Sequence, residues 1–396
     1  MQNGVAACGD NGGVKSWVEI SGARLVENLR AVQAIANDGA EAETLGVIKA
    51  NAYGHDAVFV ARVLVDAGVR WLGVADAEEG IRVRGAVPEG VRVLVMCGLE
   101  VEDCQEVVAH GLTPVVWTLE HVAMLERAAL GAGKAVRVHL EIDTGMARQG
   151  VDLAGVAEVA ERLAGSEWVR CEGVMSHLAS AEVVGSGATR RQRERFAEAL
   201  QVIVAKGVRP EFVHMGNSSA VDEGSTLEGV RELAAGVGAR VMVRPGIALY
   251  GYCLPIGTGV AGAVRSRLKP ALTWKTRVIG VREIAAGDAV GYGGTFTAKS
   301  PMRLALLPIG YSDGFRRAAS SGVGDGWVMV AGQRAAVVGR VSMNLTVVDV
   351  TDIAGVAVGD EVVLLGDGVT ADDHARWSGT ISYEILCGIR ARFCLG

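Results

Sequence analysis

The chain contains 396 residues, of which 50% are hydrophobic and 21% are charged, so it has the composition of a globular protein with room for two or three domains. Its formal net charge of −6 comes from interspersed acidic and basic residues, which argues against nucleic acid or an anionic membrane as a partner. No run reaches the roughly eighteen apolar residues of a membrane span. The seven cysteines are scattered without a C-x-x-C pair, which favours reduced thiols, no metal site and a cytoplasmic location.

Residues 1–15 are rich in glycine and small residues and lack an apolar signal core, so we expect a flexible leader. From there to about residue 250, short apolar runs alternate with amphipathic helical patterns. The runs that predict strands are Thr44–Lys49, Trp71–Val74, Val91–Met96, Leu112–Trp117, Val136–Ile142, Arg170–Ser176, Phe212–Met215 and Arg240–Arg244. Helical patterns between them include Asp56–Asp66, Leu119–Leu130, Leu153–Leu163 and Arg190–Ala205.

This alternation predicts an α/β fold over residues 16–250, a (β/α)8 barrel of the TIM type that would bind the cofactor inferred below. An open doubly wound sheet is the alternative that the same pattern permits. Residues 251–396 differ, because strand-like runs follow one another there without long helices between them. We therefore expect a mostly β C-terminal domain that ends in helical patterns around His374–Trp377 and Ser382–Gly388.

Lys49 is the most informative residue of the predicted barrel, because it ends a short run that reads as a buried parallel strand. An ammonium group in apolar surroundings is costly unless it is paired or neutralised. A lysine in such a place is suited to Schiff-base chemistry. A lysine that merely ends a strand and reaches water is the ordinary alternative.

Other candidate site residues follow later strands of the predicted barrel, where barrel enzymes place their active sites. Each has an ordinary explanation as a core histidine, a rim ion pair, a helix cap or a turn. Together they would provide a Schiff-base lysine, a phosphate cradle and an arginine facing the same opening, which is what pyridoxal phosphate requires. These residues are Arg148, His177, Ser218, Ser219, Arg244, Gly246 and Ile247.

The sequence closely resembles the alanine racemase family of pyridoxal-phosphate enzymes over roughly residues 16 to 390. The resemblance begins with Val-Ile-Lys49-Ala-Asn-Ala-Tyr53-Gly-His and continues through Ile142-Asp-Thr-Gly-Met-Ala-Arg148. Further matching motifs surround His177, Ser218, Arg244, Tyr292, Tyr311, Met343 and Tyr383, in family-like order and spacing.

The resemblance implies interconversion of L-alanine and D-alanine, which supplies D-alanine for peptidoglycan, in a homodimer with shared active sites. Lys49 would bind the cofactor covalently and act as one of two acid/base groups, and Tyr292 of the partner chain would be the other. A base on one face of the substrate's Cα and an acid on the other allow the proton to change sides.

The resemblance also implies how the cofactor and the substrate are held. Arg244 would contact the pyridine nitrogen and, because an arginine cannot accept a proton, keep that nitrogen neutral. His177 would lie beside Arg244 and Tyr292. The phosphate would be held by Tyr53, Ser218, Gly246, Ile247 and Tyr383. The substrate side would be formed by Arg148, the backbone N–H of Met343, and Tyr311 from the partner.

Two residues depart from the pattern of many family members. Glu141 stands where many relatives carry a lysine modified to a carbamate, and we expect its carboxylate to pair with Arg148 instead. Asn344 replaces a common aspartate, which could widen the substrate range toward serine or other amino acids.

Three alternative functions remain on the sequence alone. They are a broad-specificity racemase, a decarboxylase of similar architecture, and a non-catalytic pyridoxal-phosphate-binding protein.

Overall fold

The computed structural model describes residues 14–38, 41–257 and 262–395, and these fall into two compact units. The barrel unit comprises Leu25–Ala52 and Ala57–Lys269. The β unit comprises the described residues of Met1–Arg24, Tyr53–Asp56 and Pro270–Gly396. Most of the predicted leader, residues 1–13, lies outside the described residues.

The chain first forms β1 (Ser16–Ile20) of the β unit, and the next eight strands close into a parallel barrel in which β2 pairs with β9. The barrel strands are β2 (Ala42–Val47), β3 (Trp71–Val74), β4 (Arg92–Val95), β5 (Thr113–Val116), β6 (Val136–Glu141), β7 (Val169–Met175), β8 (Phe212–Asn217) and β9 (Arg240–Arg244). Strands β3 and β5 are buried throughout, which explains why they read as continuous apolar runs. The closed barrel confirms the predicted α/β fold and excludes the open sheet.

Helices connect the barrel strands, and several begin at a side chain that caps the first turn. Asp76 accepts from the N–H of Glu79, and Thr118 accepts from the N–H of His121. The helices are α1 (Gly22–Ala36), α2 (Lys49–Gly54), α3 (Ala57–Asp66), α4 (Ala77–Arg84), α5 (Val101–Ala109), α6 (Leu119–Ala132), α7 (Val156–Ala164), α8 (Gly187–Ala205), α9 (Ser218–Glu223) and α10 (Ser225–Gly236). No helix in the described ranges is long and apolar enough to cross a membrane.

The β unit contains a six-stranded sheet in the order β16-β15-β18-β10-β1-β19, a three-stranded sheet β11-β14-β17 and the hairpin β12-β13. Its strands are β10 (Leu272–Arg277), β11 (Gly280–Ile284), β12 (Ala289–Val290), β13 (Phe296–Thr297), β14 (Met302–Leu307), β15 (Trp327–Val330), β16 (Gln333–Ala336), β17 (Thr346–Asp349), β18 (Glu361–Leu365) and β19 (Arg392–Leu395). Its helices are α11 (Ala371–Ser378) and α12 (Ser382–Cys387).

Three details differ from the expectations drawn from the sequence. The barrel does not begin at residue 16, because β1 pairs antiparallel with β10 and parallel with β19. The C-terminal unit begins at Pro270, later than residue 251. Cys97, Cys104 and Cys171 are free thiols, but Cys394 is disulfide-bonded, so the expectation of reduced thiols throughout is wrong there. Cys8 lies outside the described residues.

His374 lies in the core of the β unit, where its ring packs against Phe315 and Trp377 at centroid distances of 5.5 and 4.5 Å. Its Nε2–H donates to the Leu364 carbonyl at 2.8 Å. Burial lowers the pKa of His374 to about 4, so the folded protein holds this side chain neutral at pH 7.

We therefore expect the free energy of unfolding to fall as the pH decreases from 7 to 5. Below pH 6.5 the unfolded chain binds a proton at His374 that the folded chain does not take up until about pH 4. This group contributes a loss of about 2 kcal/mol between pH 6.5 and 5, at about 1.4 kcal/mol per pH unit. Urea titrations at both pH values measure the loss. His374→Gln should lose less stability over this interval, and an equal loss in both proteins would contradict the assignment.

Candidate active site

The barrel unit places most of the predicted site residues just beyond the carboxyl ends of its strands. Because all eight strands run parallel in the barrel, these ends lie at one face. Lys49 follows β2, Arg148 lies in the loop after β6, and His177 follows β7. The others are Ser218 at the start of α9, Arg244 at the end of β9, and Gly246 and Ile247 just after it.

Lys49 begins a turn that is helical but left-handed. Four consecutive non-glycine residues, Ala50 to Tyr53, have φ between 52° and 56°, a conformation that costs roughly 1–2 kcal/mol per residue. Glu79 holds this turn from the barrel, because its two carboxylate oxygens each accept an N–H at 3.0 Å, from Asn51 and from Ala75. Such strain persists only where surrounding contacts fix it, and it marks functional positions.

Arg244 is the most deeply held cation of the site and is 4% exposed. Its Nη1 donates to the carbonyl and to Nδ1 of His214 at 3.0 and 2.9 Å. Its Nη2 donates to the Ser176 carbonyl at 2.8 Å and to His177 Nδ1 at 3.3 Å. Burial lowers the pKa of Arg244 to about 10, so the guanidinium remains charged at neutral pH. Its Nε–H is the guanidinium donor left without a partner among the described residues.

His177 lies beside three cations. Burial lowers its pKa to about 3, and the positive charges of Arg244, Arg148 and Lys49 lower it further. The imidazole is therefore neutral at pH 7 and accepts at Nδ1 from the guanidinium of Arg244. The carbonyl of His177 accepts from Nε2 of Gln192 at 2.8 Å, which ties this loop to α8.

Glu141 does not pair with Arg148, so that expectation is wrong. The carboxylate is 2% exposed and accepts from Nε2 of Gln149, which also donates to the Met96 carbonyl at 2.9 Å. No ion pair between Glu141 and Arg148 occurs among the described residues. Burial raises the pKa of Glu141, an effect that the Gln149 hydrogen bond and the charges of Arg244 and Arg148 partly offset. Gln149 is thus a site residue that the motifs did not reveal.

The residues that follow β8 and β9 form a candidate anion cradle. The N–H groups of Gly246 and Ala248 both point at Ser218 Oγ, at 2.9 and 3.3 Å. Ser218 begins α9, whose first turn is capped by Asn217. Backbone N–H groups that converge on one oxygen in this way suit a phosphate oxygen.

The β unit brings together the predicted site residues of its own chain segments. The rings of Tyr53 and Tyr383 lie 5.9 Å apart. The segments that carry Tyr311 and Met343 are joined by backbone hydrogen bonds. The N–H of Tyr311 donates to the Ser342 carbonyl and that of Ser312 to the Met343 carbonyl, both at 3.1 Å. Asn344 belongs to the same patch, because its Nδ2 donates to Ser312 Oγ at 2.8 Å.

Tyr292 is 71% exposed, Met343 55% and Tyr311 44%. A phenol this open to water is poorly placed for chemistry within its own unit, because water would compete for its proton. The β unit therefore presents these side chains outward.

Comparisons with known proteins match both the barrel part and the C-terminal part of the chain to one family. A family model described as "Alanine racemase, N-terminal domain" matches residues 20–254, and "Alanine racemase, C-terminal domain" matches residues 271–394. An alanine racemase from Symbiobacterium thermophilum is 39% identical over 383 residues, which cover 95% of each chain.

Two solved structures are also similar. The alanine racemase from D-cycloserine-producing Streptomyces lavendulae is 33% identical, with a TM-score of 0.86 over 97% of each chain. The alanine racemase from Bartonella henselae with covalently bound pyridoxal phosphate is 26% identical, with a TM-score of 0.81 over 96% of this chain and 99% of that one.

The donor set fits pyridoxal phosphate: a lysine amine for its aldehyde, an anion cradle for its phosphate, and an unused Nε–H of a buried arginine for its ring nitrogen. The barrel and this site define a barrel-type pyridoxal-phosphate enzyme. With family models matching both parts of its sequence, the chain belongs to the alanine racemase family of pyridoxal-phosphate-dependent isomerases.

The left-handed turn after Lys49 can be tested by glycine substitution. Ala50 is exposed, so Ala50→Gly removes the strain of its Cβ without removing a core contact. We expect the free energy of unfolding to rise by up to about 1 kcal/mol, since the greater freedom of glycine in the unfolded chain offsets part of the gain. The matched control Ala128→Gly, within right-handed α6, should lower it by about 1 kcal/mol. Destabilisation of both variants in urea titrations would show that the turn is not left-handed in solution.

Proposed function

We propose that this alanine racemase uses Lys49 and Tyr292 as its two acid/base groups and works as a homodimer with shared active sites. The observation that carries the proposal is that Lys49 lies at the catalytic face of the barrel while Tyr292 is 71% exposed on the β unit. A second copy of the chain would supply the missing tyrosine and cover it from water.

Pyridoxal phosphate, when bound, acidifies the α-hydrogen of the attached amino acid. Lys49 would hold the cofactor at its aldehyde, and the Nε–H of Arg244 would donate to its ring nitrogen. The hydrogen bonds from the N–H groups of Gly246 and Ala248 to Ser218 Oγ support a phosphate role for Ser218 and Gly246, and Ile247, which lies between the two donors in the chain, would join them. Tyr53 and Tyr383, whose rings lie 5.9 Å apart, would complete the phosphate site.

The two acid/base groups would act from opposite faces of the substrate's Cα. The amine of Lys49 would remove the α-proton of one enantiomer on one face of Cα, and the phenol of Tyr292 would donate a proton on the opposite face to form the other enantiomer. In the reverse direction Tyr292 would remove the proton and Lys49 would donate one. Neutral His177 accepts from Arg244 and thereby keeps that guanidinium aligned. Because Arg244 cannot accept a hydrogen bond from a protonated ring nitrogen and keeps its own proton at neutral pH, that nitrogen would stay unprotonated, which favours proton exchange over transamination.

The substrate carboxylate would be held by Arg148 and by the backbone N–H of Met343, with Tyr311 narrowing the entrance. Arg148 is exposed at the barrel face and carries no ion pair within the described ranges, so its charge is available to an anion. Glu141 and Gln149 would shape the floor beneath it, since the two side chains are hydrogen-bonded and line one small cavity together with Arg148.

The cellular role we infer is the supply of D-alanine for peptidoglycan in the cytoplasm. Free thiols at Cys97, Cys104 and Cys171 suit a reducing compartment, and the disulfide-bonded Cys394 is the exception. A racemase of broader specificity is the second candidate, because the uncharged Asn344 lies in the same patch as Tyr311 and Met343.

Shared active sites predict complementation between two inactive variants. Lys49→Ala and Tyr292→Phe should each abolish racemisation, because each removes one of the two acid/base groups. After subunit exchange in an equal mixture, half of the dimers would be mixed, and each would contain one intact site. We therefore expect about a quarter of the wild-type activity to return, measured by a chiral alanine assay.

Sedimentation and a tagged-subunit pull-down provide the control that exchange has occurred. Tyr292→Phe alone should still exchange the α-hydrogen of one enantiomer for deuterium, since Lys49 remains. No recovered activity in proven mixed dimers would place both groups on one chain and overturn the shared site.

The choice of substrate can be measured with the same assay over the common amino acids. We expect alanine to have the highest kcat/KM and serine to be the main secondary substrate, because the proposed entrance is narrowed by Tyr311 and Tyr383. Asn344→Asp should leave alanine turnover largely intact and lower serine turnover. Equal rates with lysine or arginine would instead establish the broad-specificity racemase.

A further inference from the structure

A chain of hydrogen bonds runs from Arg244 through the interior of the barrel. Arg244 Nη1 lies 2.9 Å from His214 Nδ1, and His214 Nε2 lies 2.9 Å from His139 Nδ1. Beyond it, His139 Nε2 lies 4.0 Å from Glu172 Oε2. These four residues come from β9, β8, β6 and β7, and both imidazoles are 0% exposed.

The direction of this chain follows from the chemistry of its first member. An arginine side chain has donors only, so His214 Nδ1 must accept and carry no proton. A neutral imidazole holds one proton, so His214 Nε2 carries it and donates to His139 Nδ1. The proton of His139 must then lie on Nε2, which faces the carboxylate of Glu172.

The negatively charged carboxylate of Glu172 lies beyond the hydrogen-bond chain, and two arginines hold it in place. Arg92 binds both carboxylate oxygens of Glu172, at 2.8 and 2.6 Å, and Arg137 binds one of them at 3.2 Å. His139 Nε2 has no hydrogen-bond partner among the described residues, so the negative charge of Glu172 is what favours its proton there.

The surroundings keep both imidazoles neutral and fixed. Burial lowers the pKa of His139 to about 3, and the charges of Arg92 and Arg244 contribute to this shift. Burial also lowers the pKa of His214 well below the ordinary value of a histidine. The ring of His139 has room only because residue 173 is glycine, since a Cβ there would lie 2.7 Å from its Nδ1. Trp71 packs on the other side at a centroid distance of 5.2 Å.

We propose that His214 and His139 are positioning residues that act through Arg244, with both imidazoles locked as Nε2–H tautomers by the donor at one end and Glu172 at the other. Their role is to occupy Nη1 of Arg244 and so leave its Nε–H for the ring nitrogen of the cofactor. The inference rests on the proposed role of Arg244. It assigns a function to His139, which touches neither the cradle nor the lysine.

The tautomers can be observed directly in the full-length protein. Selective ¹⁵N labelling of histidine distinguishes a protonated ring nitrogen from an unprotonated one, and single His→Asn variants assign the signals of the seven histidines. His374 and His55 are internal references. His374 donates from Nε2 to the Leu364 carbonyl, and His55 Nδ1 lies 3.0 Å from the Tyr53 carbonyl. We expect His139 and His214 to match His374. A proton on Nδ1 of either residue, with or without bound cofactor, would overturn the proposal.

Two substitutions at His139 separate the hydrogen bond from the packing. In His139→Asn the amide oxygen can accept near the position of Nδ1, so kcat should stay near the wild-type value. In His139→Leu no acceptor remains, so kcat should fall on the order of tenfold to a hundredfold, as expected when a remote change misplaces a reacting group. KM for alanine should change less, because Arg244 does not hold the substrate.

His110→Asn, at an exposed histidine, is the matched control and should not change kcat. Circular dichroism identifies a variant that fails to fold, and the wild-type tautomers then decide alone. Equal kcat values for His139→Leu and the wild type would contradict the proposal. If His139 or His214 of the wild type carries its proton on Nδ1 while Lys49→Ala is inactive, only this inference fails. If Lys49→Ala remains active, the proposed function fails whatever the tautomers are.

Discussion

A buried guanidinium that has no carboxylate partner among the described residues is the constraint on which the rest of this site depends. Arg244 is held by the carbonyls of Ser176 and His214 and by two imidazole nitrogens, all of them neutral acceptors. A cation desolvated in this way requires nearly complete hydrogen bonding, because each missing acceptor would leave charge uncompensated in a low-dielectric interior. Closure of β7, β8 and β9 in register supplies those acceptors, and the neutral histidines are a consequence of the same burial.

The two units contribute different kinds of surface to the proposed enzyme. The barrel unit supplies enclosed, hydrogen-bonded groups that are proposed to orient a cofactor, such as Arg244, Glu141 with Gln149, and the Ser218 cradle. The β unit supplies side chains that are exposed to solvent, and Tyr292 is the most exposed of the predicted site residues in that unit. The left-handed turn after Lys49 shows that the local backbone, too, is set by its surroundings, because Glu79 must hold a conformation that Ala-Asn-Ala-Tyr would not adopt alone.

Much of this organisation was predictable from the sequence, for identifiable reasons. All eight barrel strands appeared as apolar runs, since strands buried on both faces need no alternation. Strands β1 and β19 were missed, because their parallel pairing joins the two ends of the chain and leaves no local signal. Gln149 was missed as the partner of Glu141, because pairing of side chains in one loop cannot be read from spacing alone.

Residue types and their order were enough to predict the class of chemistry, from a lysine that ends an apolar run, a serine and glycines suited to a phosphate, and an arginine expected at the ring nitrogen of the cofactor. These are properties of residue type and order, which motifs preserve. Three outcomes became visible in the fold alone: which acceptors hold Arg244, that Glu141 pairs with Gln149 rather than with Arg148, and that Lys49 begins a left-handed turn. Those outcomes depend on distances and burial between residues far apart in the chain. They also depend on backbone strain at Ala50 to Tyr53, where the sequence has no glycine to indicate a positive φ.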